Sequence, residues 1–153
     1  MISTEFIDNK LPSILVVDDE QSSLLIMQKV LDGLGTIYTA NSGQQALEKA
    51  LQVKPMVALL DIEMDDLNGI ELCARLKANP ETQDIAIIFV TSHAESQIEY
   101  EALNRGGIDF LSKPLNGSLC RLRVKNHIEL KQYNEAFKVA QAHAEKESTY
   151  VSP

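Results

Sequence analysis

The sequence predicts an α/β fold: a doubly wound, five-stranded parallel sheet of the (βα)5 kind with an extended C-terminal helix. Three runs carry that expectation. Ile14–Val17 (ILVV), Met56–Leu60 (MVALL) and Ile85–Val90 (IAIIFV) are apolar without interruption, the pattern of strands buried on both faces. The segments between strands carry apolar residues at helical spacing. Strands alternating with helices through short connections imply right-handed crossovers and a sheet covered on both sides.

Residues 1–11 are polar and mixed, and read as an N-terminal tail. Pro12 and Ser13 introduce the first strand, which runs into Asp18, Asp19 and Glu20. Ser22 or Ser23 is the expected cap of the first helix. Its apolar positions are Leu24, Met27, Val30, Leu31 and Leu34, and Gly33 and Gly35 stop it. Thr36–Ala40 is a short β-rich segment. Ser42, with Gln45 three residues on, forms a capping box for a helix carrying Ala46, Leu47, Ala50 and Leu51. After the central strand, the loop IEMDDLN leads to a helix over about 69–78 with Ile70, Cys73 and Leu76 inward, ended by Asn79-Pro80. Ser96 and Glu99 make a second capping box, for a helix that ends at Gly106 and Gly107. Ile108–Leu111 is the last strand. A helix from about Asn116 then shows no stop signal until the chain nearly ends.

Charge and composition narrow the function classes. Among 153 residues, Lys and Arg number 14 against 22 Asp and Glu, a formal net charge of -8. That balance lacks the basic clustering that phosphate backbones demand, so no direct nucleic-acid contact is expected. No apolar run approaches the roughly 20 residues of a membrane span, and the start, MISTEFIDNK, has no basic and apolar signal regions. The expected location is cytoplasmic, with no membrane partner. Cys73 and Cys120 both fall in expected helices without metal-ligand spacing, and read as reduced, partly buried thiols.

The residues able to do chemistry fall at strand ends. Asp18 and Asp19 follow the first strand, Asp61 the third, Thr91 the fourth and Lys113 the fifth. Taken alone, Asp61 reads equally well as the start of a loop. In a parallel sheet, however, these ends share one edge, where open α/β sheets bind ligands. Carboxylates placed together raise each other's pKa unless a cation intervenes, and hard oxygen ligands suit Mg²⁺, which takes one or two carboxylates plus a phosphate oxygen. The constellation reads as a place where a phosphoryl group meets a divalent cation.

On these motifs the chain resembles the receiver domains of two-component response regulators. The resemblance rests on VVDDE (16–20), LLDIEMDDLNG (59–69), VTS (90–92) and GGIDFLSKP (106–114). It implies a flavodoxin-like receiver fold over residues 12–132. Asp61 would be the phosphoacceptor, modified by a sensor histidine kinase or a phosphotransfer protein. Asp19 and Asp61 would bind Mg²⁺ or Mn²⁺ directly, with the Glu63 backbone carbonyl as a third ligand and Asp18 positioning ligand waters. Lys113 would hold a phosphoryl oxygen, and Lys113-Pro114 matches the family's cis peptide. Thr91 and Phe110 would form the switch. Their movement would change the face made by the fourth helix, fifth strand and fifth helix, a candidate homodimer surface.

Some positions carry two readings. Phe110 also fits a plain core aromatic. Glu63 and His93 stand where the family flanks access to the phosphoryl group, which would let them tune dephosphorylation; as bare residues they read equally as exposed polar side chains. The family's Met-Pro turn is Met64-Asp65 here, Asp66 adds charge near the expected pocket, and Ser92 replaces the usual Ala. His127 and His143 read as solvated.

Residues 133–153 read as a helical linker or tail. Leu130, Tyr133, Phe137, Ala140 and Ala144 alternate three and four apart, a seam that fits either a coiled coil between two chains or a helix folded back on its own domain. Arg121–Ala136 resembles the exit helix of receivers joined to GGDEF or HD-GYP output domains. That resemblance implies the regulatory front of a cyclic di-GMP enzyme, not itself an enzyme beyond its own phosphorylation and dephosphorylation. The alternative is a stand-alone receiver acting as a phosphorelay intermediate or a docking module. A phosphohydrolase with a strand-end Asp nucleophile is disfavoured because Asp61-Ile62-Glu63-Met64-Asp65 lacks the DxDxT pattern, and no G-x-x-x-x-G-K-[ST] loop supports a nucleotide hydrolase.

Overall fold

The computed structural model describes residues 11–93 and 95–151, with side chains to residue 145. Expected tail residues 1–10 and 152–153 lie outside the described residues. Strands and helices alternate as β1 (Ser13–Val17), α1 (Gln21–Leu31), β2 (Thr36–Ala40), α2 (Gly43–Val53), β3 (Val57–Asp61), α3 (Gly69–Ala78), β4 (Ala86–Thr91), α4 (Ser96–Asn104), β5 (Asp109–Ser112) and α5 (Gly117–Val151). All pairings are parallel, in the order β2-β1-β3-β4-β5. This is the flavodoxin-like doubly wound order, whose ligand crevice lies at the switch point between β1 and β3.

The uninterrupted apolar runs become the inner strands, and every residue of β3 and β4 is buried. Successive side chains point to opposite layers. Leu15, Val17, Leu60 and Phe89 pack with Ala46, Leu72 and Ala102 of α2, α3 and α4. Ile14, Val16, Leu59 and Val90 pack with Leu24 and Met27 of α1 and with Val124 and Ile128 of α5. Each such large side chain contributes about 1.5–3 kcal/mol by leaving water, so the two layers hold the sheet edge that carries the site.

Helix ends correct the sequence expectation in several places. Glu20 and Glu95 occupy the N-caps of α1 and α4 without side-chain cap bonds. Ser22 and Ser23 lie inside α1, and Ser96 opens α4 rather than capping it. At α1 the cause is Asp18, whose Oδ1 accepts from Glu20 N at 3.0 Å and turns the chain into the helix early. At α4 the first helical bond runs from Glu99 N to Glu95 O, which puts Glu95 in the cap position. α1 stops at Leu31, so Leu34 lies beyond it; Gly33, at φ +86, takes the left-handed turn that ends the helix. Ser42 does cap α2, accepting from Gln45 N at 3.1 Å, and Asn68 Oδ1 caps α3 from Glu71 N at 2.9 Å.

α5 is one continuous helix. Cys120, Val124 and Ile128 bury against the sheet, whereas Leu130, Tyr133 and Phe137 are exposed, so the seam does not fold back on its own domain. His127, read as solvated, instead places Nε2 3.0 Å from Asp109 Oδ2, while Arg123 Nη1 donates to Asp109 Oδ1 at 2.7 Å. Both project from α5 one turn apart, beside the inward Val124 and Ile128, and so meet the first residue of β5. Cys73 and Cys120 are free thiols, fully rather than partly buried, and burial pushes each up to about 11. Among the described residues, no helix is long and apolar enough to cross a membrane.

Candidate functional site

Strand ends bring the site together. Asp61 is the last residue of β3 and Thr91 the last of β4; Asp18 and Asp19 follow β1, and Lys113 follows β5. Register aligns Asp61 with Val90 and Thr91 with Ser112. Asp18, Asp61 and Thr91 are buried, while Asp19 stands at the open side. Met64 and Leu67 bury the loop that follows Asp61, so a rigid sheet and an anchored loop hold the pocket.

One carboxylate oxygen from each of Asp18, Asp19 and Asp61 lies within 4.8 Å of the others. Lys113 Nζ donates to Asp18 Oδ2 at 2.8 Å and stands 3.5 Å from Asp61 Oδ1. The second contact is a close approach rather than a hydrogen bond, since Asp61 Oδ1 is buried with no hydrogen-bond partner among the described residues. Such an orphan atom is costly in a folded protein. Facing two further carboxylates, it forms the all-oxygen donor set that a hard divalent cation satisfies.

The electrostatics agree with that donor set. Burial, and next the charge of Asp18, push Asp61 up to about 8 against the pull of Lys113. Burial, with Asp18 and Asp65 adding repulsion, also raises Asp19. For Lys113, burial works toward a lower pKa, but the hydrogen bond to Asp18 and the charge of Asp61 outweigh it and raise the ammonium. One fixed positive charge therefore faces three acids, and the pocket is short of cation.

Glu63, Thr91 and His93 form a ring beside the carboxylates. Thr91 Oγ1 donates to Glu63 Oε1 and accepts from His93 N at 3.0 Å, and His93 Nδ1 lies 3.1 Å from the same Glu63 oxygen. Glu63 and His93 are thus not independent solvated side chains. Burial works to raise Glu63, but hydrogen bonds from Thr91, Asp61 and His93 prevail and hold it low. Phe110 is half-buried in the layer of α2, α3 and α4, and the Lys113–Pro114 peptide is cis.

Asp66 does not add charge to the pocket. Its carboxylate turns to the start of α2, accepting from Gly43 N at 3.0 Å and Gln44 N at 3.1 Å. Those bonds hold its pKa low, as suits an acid at a helix N-terminus. Gly43 lets the helix approach, since a Cβ there would lie 2.5 Å from Leu67 Cβ. The sequence signal was available: an acid within a tight loop is a ready partner for free helix N–H groups.

The response regulator receiver domain model matches residues 14–125. The chain belongs to that family. Receiver domains take phosphoryl groups from histidine kinases or phosphotransfer proteins, and phosphorylation-based signalling is this domain's function. They generally bind Mg²⁺ at an acidic pocket, which here corresponds to the cluster of Asp18, Asp19 and Asp61. The receiver is 31% identical over 129 residues to the cyclic di-GMP phosphodiesterase response regulator RpfG of Xanthomonas campestris, covering 82% of this chain and 34% of that protein. It is 38% identical over 105 residues to the transcriptional regulatory protein ZraR of Escherichia coli, covering 67% and 23%. The chain therefore spans about a third or less of these relatives, whose named activities differ. A CheY-like receiver domain protein from Methanospirillum hungatei matches in structure with a TM-score of 0.74 at 26% identity, over 82% of this chain and 99% of that one.

Proposed function

We propose that Asp61 accepts a phosphoryl group from the phosphohistidine of a sensor kinase or phosphotransfer protein, and that the modified receiver controls an output domain or partner. The observation that carries this is the orphan Asp61 Oδ1, buried 3.5 Å from the Lys113 ammonium. An Asp61 carboxylate oxygen attacks phosphorus; the O–P bond forms as the P–N bond breaks, and the imidazole nitrogen leaves with the electron pair. Asp19, Asp61 and the Glu63 carbonyl would hold Mg²⁺ or Mn²⁺, with Asp18 positioning ligand waters, and the ion would supply charge neutralisation between the acceptor and the phosphoryl oxygens.

Lys113 carries three N–H donors, enough to keep Asp18 while reaching a phosphoryl oxygen. A charge pair about 4 Å apart is worth about 4 kcal/mol at an effective dielectric near 20. Thr91 then turns its hydroxyl to the phosphoryl group, Phe110 moves into the space released, and the face of α4, β5 and α5 changes. Glu63 and His93 flank the line along which water removes the phosphoryl group, and tune that step. The carboxyl of Asp61 is restored and inorganic phosphate leaves.

Residues 12–132 act as the receiver and 133–153 as a linker in a cytoplasmic protein. The exposed seam at Leu130, Tyr133 and Phe137 and the likeness to RpfG support a regulated cyclic di-GMP enzyme, with pairing of two chains through the C-terminal helix or the α4, β5 and α5 face. Intact mass after incubation with Mg²⁺ and acetyl phosphate tests the acceptor. One added phosphoryl group in wild type, absent in Asp61→Asn, supports it; equal addition to both removes it.

A further inference from the structure

A threonine hydroxyl has one proton to donate, and Thr91 gives it to Glu63 Oε1. Its oxygen is held from the other side by His93 N at 3.0 Å, while His93 Nδ1 fills a second position on the same carboxylate oxygen at 3.1 Å. Glu63 is kept in place by the backbone around it. Ile62 N donates to Val90 O at 3.1 Å, Gly69 N to Ile62 O at 3.1 Å, and Ile62 and Met64 are buried on either side. The carboxylate therefore reaches across the end of β4 from a fixed base. Thr91 cannot serve Glu63 and a phosphoryl group on Asp61 at once.

We infer that Glu63 is a latch, a positioning residue whose carboxylate holds the Thr91 hydroxyl in the unmodified state and so weakens the receiver's grip on a phosphoryl group. This rests on the reading of Asp61 as acceptor and Thr91 as phosphoryl-binding hydroxyl. His93 completes the latch, because its N–H fixes the Thr91 oxygen and its ring steadies Glu63. A bland alternative has the same sign: a carboxylate near the pocket repels an incoming anion whatever Thr91 does. The two differ in whether the effect of Glu63 passes through Thr91.

Calorimetric titration of beryllofluoride, a phosphoryl mimic, at saturating Mg²⁺ separates them. Glu63→Ala is expected to tighten binding about tenfold, the order set by one hydrogen bond to a charged group. Glu63→Gln gains less, since its amide oxygen still accepts from Thr91. In a Thr91→Val background, Glu63→Ala then changes affinity by less than about twofold. In the metal-free protein, three-bond couplings of Thr91 pass from a single side-chain rotamer to averaging when Glu63 becomes Ala. Equal gains in both backgrounds, no gain in either, or an unchanged Thr91 rotamer overturn the latch. Wild-type binding that does not depend on Asp61 overturns the acceptor reading beneath it.

Discussion

The Lys113 ammonium is hydrogen-bonded to Asp18 at 2.8 Å, across 95 positions of sequence. It only leans toward the acceptor, Asp61, at 3.5 Å. The pocket's cation is therefore committed to the residue that buries most deeply, and Asp61 is left with an oxygen to share.

Replacing Lys113 by Met strands the fully buried Asp18 without its partner. Removing one member of a buried ion pair costs about 3–5 kcal/mol, and somewhat less where the lysine is part-exposed, as here. Urea unfolding without Mg²⁺ should show a loss of about 2–4 kcal/mol, partly recovered when Mg²⁺ is added. A loss under about 0.5 kcal/mol would class the pair with surface ones.

The metal-free protein should lose stability as pH rises. Folded Asp61 keeps its proton to about 8 against an ordinary value of 3.8. Between these values the folded chain binds more protons than the unfolded one, so stability falls from about pH 4 to about pH 8 and then levels. Mg²⁺ binds the ionised form, so its affinity climbs over the same window, by up to about tenfold per pH unit. Thermal melts and Mg²⁺ titrations across the window check both slopes, and Asp61→Asn should flatten them.

Asp109 gives the opposite sign. Burial opposes its ionisation, but hydrogen bonds from His127, the Phe110 N–H and Arg123 prevail and hold it below 3.8. Its contribution is present above that value and is lost as pH falls through the folded one. Asp109→Asn should cost about 1–2 kcal/mol near neutrality, with the gap to wild type closing below about pH 4. A gap that persists in acid would mean that packing, not charge, ties β5 to α5.

Sequence periodicity made the strands plain because their apolar runs are local and unbroken, and it put Asp18, Asp61, Thr91 and Lys113 at one edge because parallel strands end together. What it left out depends on side chains meeting across distance. Nothing near Thr91 announces that its hydroxyl bonds to Glu63, 28 positions earlier. A loop acid is a ready partner for free helix N–H groups, but Asp66 looked like pocket charge because the helix start it meets, that of α2, lies more than 20 positions away. The misplaced serine caps have a local cause: a serine near a helix start is a frequent cap, but Asp18 and the Glu95 carbonyl began those helices first.

Gly69 sits where the acceptor loop passes closest to β3. A Cβ there would lie 2.3 Å from Asp61 O, and backbone cannot yield as a side chain does. Gly69→Ala should destabilise by about 1–3 kcal/mol, as overpacked sites do, and should slow phosphorylation by displacing Asp61. Unfolding and intact-mass time courses on one preparation check the two effects together.

Mapping the acyl phosphate itself tests directly whether Asp61 is the acceptor. Borohydride reduces an aspartyl phosphate to homoserine, which tandem mass spectrometry places at a single residue. After treatment with Mg²⁺ and acetyl phosphate, homoserine is expected at position 61. Homoserine at Asp18 or Asp19 instead, or at none of the three, would contradict it.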